Sequence, residues 1–150
     1  LVYDLYKPKI ATKKNKVPYI FVDTKSKNYE NKVLLNLKRY KITFICLAGF
    51  MKIISSKIIR IYNKKIINIH PSLLPKFKGL NTFSRILKNK EVKTGCTVHY
   101  VDEKLDNGNV ITQKFFYIKS GSNEYAIKEK TQELEYRAFP EAIIKIFRYN

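Results

Sequence analysis

The sequence predicts an α/β domain, built on a mostly parallel sheet with helices on its faces and an antiparallel piece added in its later half. Three observations carry that prediction. Short apolar runs alternate with amphipathic, Lys-rich stretches through the first half of the chain, the pattern of strands and helices taking turns. Two strand-like runs, GCTVHYV and NVITQKFFYI, then follow each other across the turn-rich DEKLDNG. Finally, 150 residues that are 45% hydrophobic suffice for one core and not for two, so 1–150 is read as a single domain.

The elements follow in order. VPYIFVD, from Val17 to Asp23, is a short apolar run entered through a proline and reads as a strand. From about Tyr29 to Tyr40 the apolar Val33, Leu34 and Leu37 recur at helical spacing among Lys and Asn. KITFICLAGF is almost continuously apolar and ends in Gly49, which predicts a buried strand. SSKIIRIYNKK reads as a second helix, with Ser55 or Ser56 available as its cap. KIINIH is another strand and leads into a proline-broken loop, after which TFSRILKN, residues 82–89, predicts a short helix. The end, NEYAIKEKTQELEYRAFPEAIIKIFRY, is helical in pattern with Pro140 inside it, so a kink or break is expected there.

Composition excludes some classes of function. The longest apolar stretch, Ile42 to Met51, is far short of the roughly 18 residues a membrane span needs. No membrane partner is expected. The opening LVYDLYKPK has neither a basic leader with an apolar core nor a small-residue cleavage site, which favours a cytoplasmic protein. Cys46 and Cys96 each sit in an apolar run without metal-ligand spacing, and both are read as reduced core thiols; no metal is expected. The formal charge of +18 would suit a polyanion, yet 25 of the 30 cations are Lys, spread along the whole chain. That spread reads as a Lys/Asn/Ile vocabulary and argues against a dedicated nucleic-acid surface. A positive field still favours a phosphate-bearing metabolite.

The most chemical stretch is INIHPSLLPKFKG, Ile67 to Gly79. Side chains alternate faces along a strand, so Asn68 and His70 point the same way at the end of KIINIH. In an open α/β sheet that carboxyl end is where ligands bind. Pro71 and Pro75 stiffen the loop that follows. An amide donor beside an imidazole suits stabilisation of an oxyanion formed by attack on a carbonyl.

NIHPSLLPKFKG resembles the signature of the folate-dependent formyltransferases, and among them the glycinamide ribonucleotide transformylases of purine synthesis. LAGFMKIIS before it and GCTVHYVDEKLDNGNVITQ after it stand in that family's order and spacing, so the resemblance runs from about Val17 to the end of the chain. It implies the formyltransferase fold, with a Rossmann-like sheet. It also implies transfer of a formyl group from 10-formyltetrahydrofolate to the amine of glycinamide ribonucleotide, with no metal.

By position, the resemblance makes Asn68, His70 and Asp106 the catalytic amide, imidazole and aspartate. Asn68, Met51, Lys52, Ile53 and Ile54 would embrace the folate from one side, Lys52 standing where the family usually has Arg. Asp102, Glu103, Lys104, Leu105 and Asp106 would form the other wall. Gln132, Glu133, Leu134 and Glu135 match a segment that contacts the ribonucleotide, with Glu135 the direct ligand. Asn81 and Phe83 replace histidines common in the family, and Asn109 replaces a proline. The family also opens with a strand and a Gly-Ser-Asn loop that grips the substrate phosphate, and the chain, which starts at Leu1 without a methionine, is expected to lack both. Two alternatives stay open: a methionyl-tRNA formyltransferase-like enzyme, and a non-catalytic basic binding module on the same fold. Oligomeric state is not legible.

Overall fold

In the computed structural model the described residues are 13–50 and 52–148, and they form one four-stranded mixed sheet with helices on both faces. The elements are α1 (Tyr29–Arg39), β1 (Ile45–Leu47), α2 (Ser56–Ile61), β2 (Ile66–His70), α3 (Thr82–Lys88), β3 (Lys93–Tyr100), β4 (Val110–Tyr117) and α4 (Glu124–Arg148). The sheet order is β1-β2-β3-β4. β1 runs parallel to β2, as a strand–helix–strand crossover requires, while β3 and β4 continue the sheet antiparallel.

The two faces of the sheet differ in kind. Ile67 and Ile69 of β2 and Cys96 and Val98 of β3 point to one side, where Ala138, Ala142 and Ile146 of α4 close over them. The small alanines let the helix approach the sheet closely. On the other side Ile66 and Leu47 pack with Ile58 and Tyr62, backed by Leu34 and Leu37 of α1. A third cluster, Ile86 with Phe116 and Ile127, joins α3 to β4 and α4.

Several expectations are corrected. Val17–Asp23 forms no strand: no neighbouring strand pairs with it among the described residues, and Val17, Ile20 and Phe21 are largely exposed. Ile20 and Val22 instead line an apolar cleft with residues of α1, β1 and α2. The strand predicted for KITFICLAGF is only three residues long, and Cys46 is exposed, so of the two thiols Cys96 alone is a core residue. Burial pushes the Cys96 thiol up to about 12, which keeps it protonated.

Ser55 does take the N-cap position of α2, but its side chain makes no capping bond and its Oγ is buried without a partner. Its N–H donates instead to Glu30 Oε1 at 3.0 Å, tying α2 to the first turn of α1. Pro140 does not break the last helix, which is assigned as one 25-residue element. Proline removes the hydrogen bond to the carbonyl of Tyr136, and Tyr136 and Pro140 are both exposed, so water can satisfy that carbonyl.

Candidate active site

Antiparallel pairing of β2 with β3 sets Asn68 opposite His99 and His70 opposite Thr97, so four polar side chains share the face turned away from α4. His70 is 5% exposed and His99 2% exposed. Buried polar groups at this density must be hydrogen-bonded, and the partners can be followed one by one.

The loop after β2 is held from β3 and β4. Thr97 Oγ1 donates to the Ser72 carbonyl at 2.7 Å and accepts from the Leu74 N–H at 3.0 Å. Gln113 of β4 donates to the Leu74 carbonyl and to Thr97 Oγ1, both at 2.9 Å. Ser72 Oγ donates to the Lys76 carbonyl at 2.6 Å, and the Leu74–Pro75 peptide is cis. The stiff loop expected from the two prolines is thus clamped at its base to the sheet.

His70 Nε2 donates to the Phe77 carbonyl of that loop at 2.9 Å, and its Nδ1 stands 3.3 Å from Asp106 Oδ2. Asp106 Oδ2 also accepts the Gly79 N–H at 2.8 Å, and Oδ1 lies 3.7 Å from His99 Nε2. The carboxylate therefore joins the loop after β2 to the turn between β3 and β4. Asp106 adopts a left-handed conformation, φ 47°, which Asp tolerates better than most residues. Two residues on, Gly108 lies so close to the end of β3 that a Cβ would come within 1.8 Å of the Tyr100 carbonyl oxygen. The Asp106 turn is thereby pressed against β3, which carries His99.

Of the sequence-predicted residues, His70 meets Asp106 directly, and Asn68 is joined to Asp106 through His99. A cleft beside them is lined by Lys52, Ile53 and Ile54 on one side and Asp102, Glu103, Lys104, Leu105 and Asp106 on the other, with Leu47, Phe50 and Val101 supplying further apolar surface. Met51 lies outside the described residues. Gln132, Glu133, Leu134 and Glu135 are on α4, and none of them lines this cleft. Leu134 packs into the core beneath the helix. Burial pushes the Glu135 carboxyl up to about 7.

The residue that sequence reasoning missed is His99, which lines the cleft with Asn68 and Asp106. It lies two residues after Thr97 in GCTVHYV. Period-2 alternation, combined with the antiparallel register against β2, was the signal that could have found it.

A sequence profile described as formyl transferase matches residues 5–143 of the chain. The chain belongs to the formyl transferase family. Within this formyltransferase group it is similar to the trifunctional purine biosynthetic protein adenosine-3 of Drosophila pseudoobscura, with 44% identity over 115 residues, 77% of this chain and 8% of that protein. The chain thus spans less than a tenth of that relative's length. Among solved structures it resembles phosphoribosylglycinamide formyltransferase from Bacillus halodurans at 33% identity, with a TM-score of 0.91 covering 99% of this chain and 78% of that one. Glycinamide ribonucleotide transformylase 1 from Geobacillus kaustophilus gives 36% identity and a TM-score of 0.83, covering 93% and 76%. No helix among the described residues is long and apolar enough to cross a membrane.

Proposed function

We propose that this formyltransferase domain, 1–150, transfers the formyl group of 10-formyltetrahydrofolate to the amine of glycinamide ribonucleotide, a step of de novo purine synthesis. The observation that supports the reading is that Asn68 and Asp106 line one cleft together with Lys52 to Ile54 and Asp102 to Leu105, segments expected to hold folate, while His70, which does not itself line it, stands 3.3 Å from Asp106. The cleft suits a flat heteroaromatic group: Leu47, Phe50, Val101 and Leu105 offer apolar surface, and the carboxylates of Asp102 and Asp106 can accept from ring N–H groups. The similarity to phosphoribosylglycinamide formyltransferases supports the choice of acceptor.

In this mechanism the amine of glycinamide ribonucleotide attacks the formyl carbon, and the charge that develops on the formyl oxygen is met by the residues of the polar face. Asn68 donates an amide N–H to that oxygen. His70 donates from Nε2 by exchanging the Phe77 carbonyl for the stronger, charged acceptor. Asp106 holds the imidazole through Nδ1 and takes part in relaying the proton lost by the amine to N10 of the folate, so that the formyl C–N10 bond breaks as the tetrahedral adduct collapses and tetrahydrofolate leaves. Alignment of donor and acceptor in one cleft supplies much of the remaining acceleration. Gln132 to Glu135 contact the ribonucleotide in this scheme, with Glu135 the direct ligand. The site of reaction is cytoplasmic.

The test is formyl transfer from 10-formyltetrahydrofolate to glycinamide ribonucleotide, read as appearance of tetrahydrofolate, with simple amines and initiator methionyl-tRNA as competing acceptors. The account expects transfer to glycinamide ribonucleotide above the others. Transfer confined to methionyl-tRNA would overturn it.

A further inference from the structure

We propose that His99 is a positioning residue whose bare Nε2 accepts one N–H of the Asn68 amide, fixing that amide so that its second N–H serves the cleft. The inference rests on Asn68 acting as proposed above, and it begins with the other ring nitrogen. His99 Nδ1 lies 2.7 Å from the Tyr100 carbonyl oxygen, which can only accept, so the proton is on Nδ1. A neutral imidazole then carries no proton on Nε2. Burial of the ring lowers its pKa and favours that neutral form, opposed by the Tyr100 carbonyl and the charges of Asp106 and Asp102, while His70 acts with the burial.

Nε2 is 3.3 Å from Asn68 Nδ2. With Nε2 bare, the contact has one consistent reading: the amide donates and the imidazole accepts. An asparagine side chain can otherwise flip, presenting its oxygen where its NH₂ should be. Such a flip would set a carbonyl against a developing oxyanion. His99 forbids it, because the flipped amide would place oxygen against an unprotonated nitrogen with both lone pairs opposed. The Tyr100 carbonyl thus reaches the cleft through two side chains, His99 and then Asn68.

The sequence contains only two histidines, so the imidazole nitrogens can be read directly in the intact chain by long-range ¹H–¹⁵N correlation. The expected result at pH 7 is one ring with Nδ1 protonated and Nε2 bare, absent in His99→Gln, its Nε2 resonance shifting in Asn68→Ala. A proton on Nε2 of that ring, or no response to Asn68→Ala, would overturn the proposal. This readout stands whichever amine is the acceptor, so its failure is separable from failure of the functional reading.

Kinetics add a second arm. His99→Leu keeps the bulk but loses the acceptor and should lower kcat roughly tenfold with KM little changed. His99→Gln can return an acceptor oxygen to the place of Nε2 and should recover most of the loss. Equal losses in both variants would mean that His99 only packs, and the inference would fall.

Discussion

Ile67 and Asn68 are neighbours on β2, and they do opposite work. Ile67 is completely buried beneath α4, among Ile69, Cys96, Val98 and the alanines of the helix. Asn68 is half-buried, faces His99 and lines the cleft. The apolar face has no chemistry to offer, whereas on the opposite face β2 packs only Ile66 against the helix side and presents Asn68 and His70 as polar groups. A one-residue slip of β2 would exchange them, so the same packing that stabilises the sheet also fixes which side chains reach the substrate.

The comparison can be broken from either side, and the largest effect is expected on the apolar face. Ile67→Ala removes a fully buried side chain from close-packed surroundings and should cost about 2–5 kcal/mol in chemical denaturation. A loss below about 1 kcal/mol would mean that α4 does not depend on this contact. On the polar face, His70→Ala should lower turnover on the order of 100-fold while the chain remains folded. Near-normal turnover would remove the imidazole from the mechanism.

Asp106→Asn sharpens the picture further. The amide keeps an oxygen for the Gly79 N–H but lacks the negative charge beside His70, so kcat should fall much more than affinity for a folate analogue. If binding alone weakens, Asp106 belongs to the pocket wall and not to the chemistry.

The smallest effect is the pH dependence contributed by Glu135. Burial raises its folded pKa to about 7, above the ordinary 4.5, so the folded state holds its proton more tightly than the unfolded state. The linked stability is fully present below about pH 4.5 and is lost as pH rises through about 7. Glu135→Gln should therefore match the parent in acid and exceed it above pH 7. Parallel stability profiles for the two would show that the carboxyl is not held in a desolvated place.

Much of this is legible in the sequence. Alternation in KIINIH placed Asn68 and His70 on one face, and the Asp-Asn-Gly turn joining two strand-like runs fixed the antiparallel end of the sheet. The position of Asp106 relative to His70 came from resemblance, since nothing local distinguishes it from a surface turn residue; the structure adds the 3.3 Å approach to Nδ1. Val17–Asp23 misled because β-propensity describes a surface awaiting a partner, and no strand lies beside it among the described residues. Of the kink or break expected at Pro140 the break does not occur, because the cost of a proline depends on whether the freed carbonyl faces water. His99 was invisible because an isolated histidine in an apolar strand gains meaning only from the strand opposite.

The most direct test uses the two neighbours together: the rate of formyl transfer per folded molecule in Asn68→Ala, referred to Ile67→Ala at a temperature where both are folded. The account predicts that Asn68→Ala loses on the order of 100-fold in rate with its unfolding midpoint little moved, while Ile67→Ala keeps the parental rate per folded molecule. A normal rate in Asn68→Ala would contradict the claim that this face of β2 carries the chemistry.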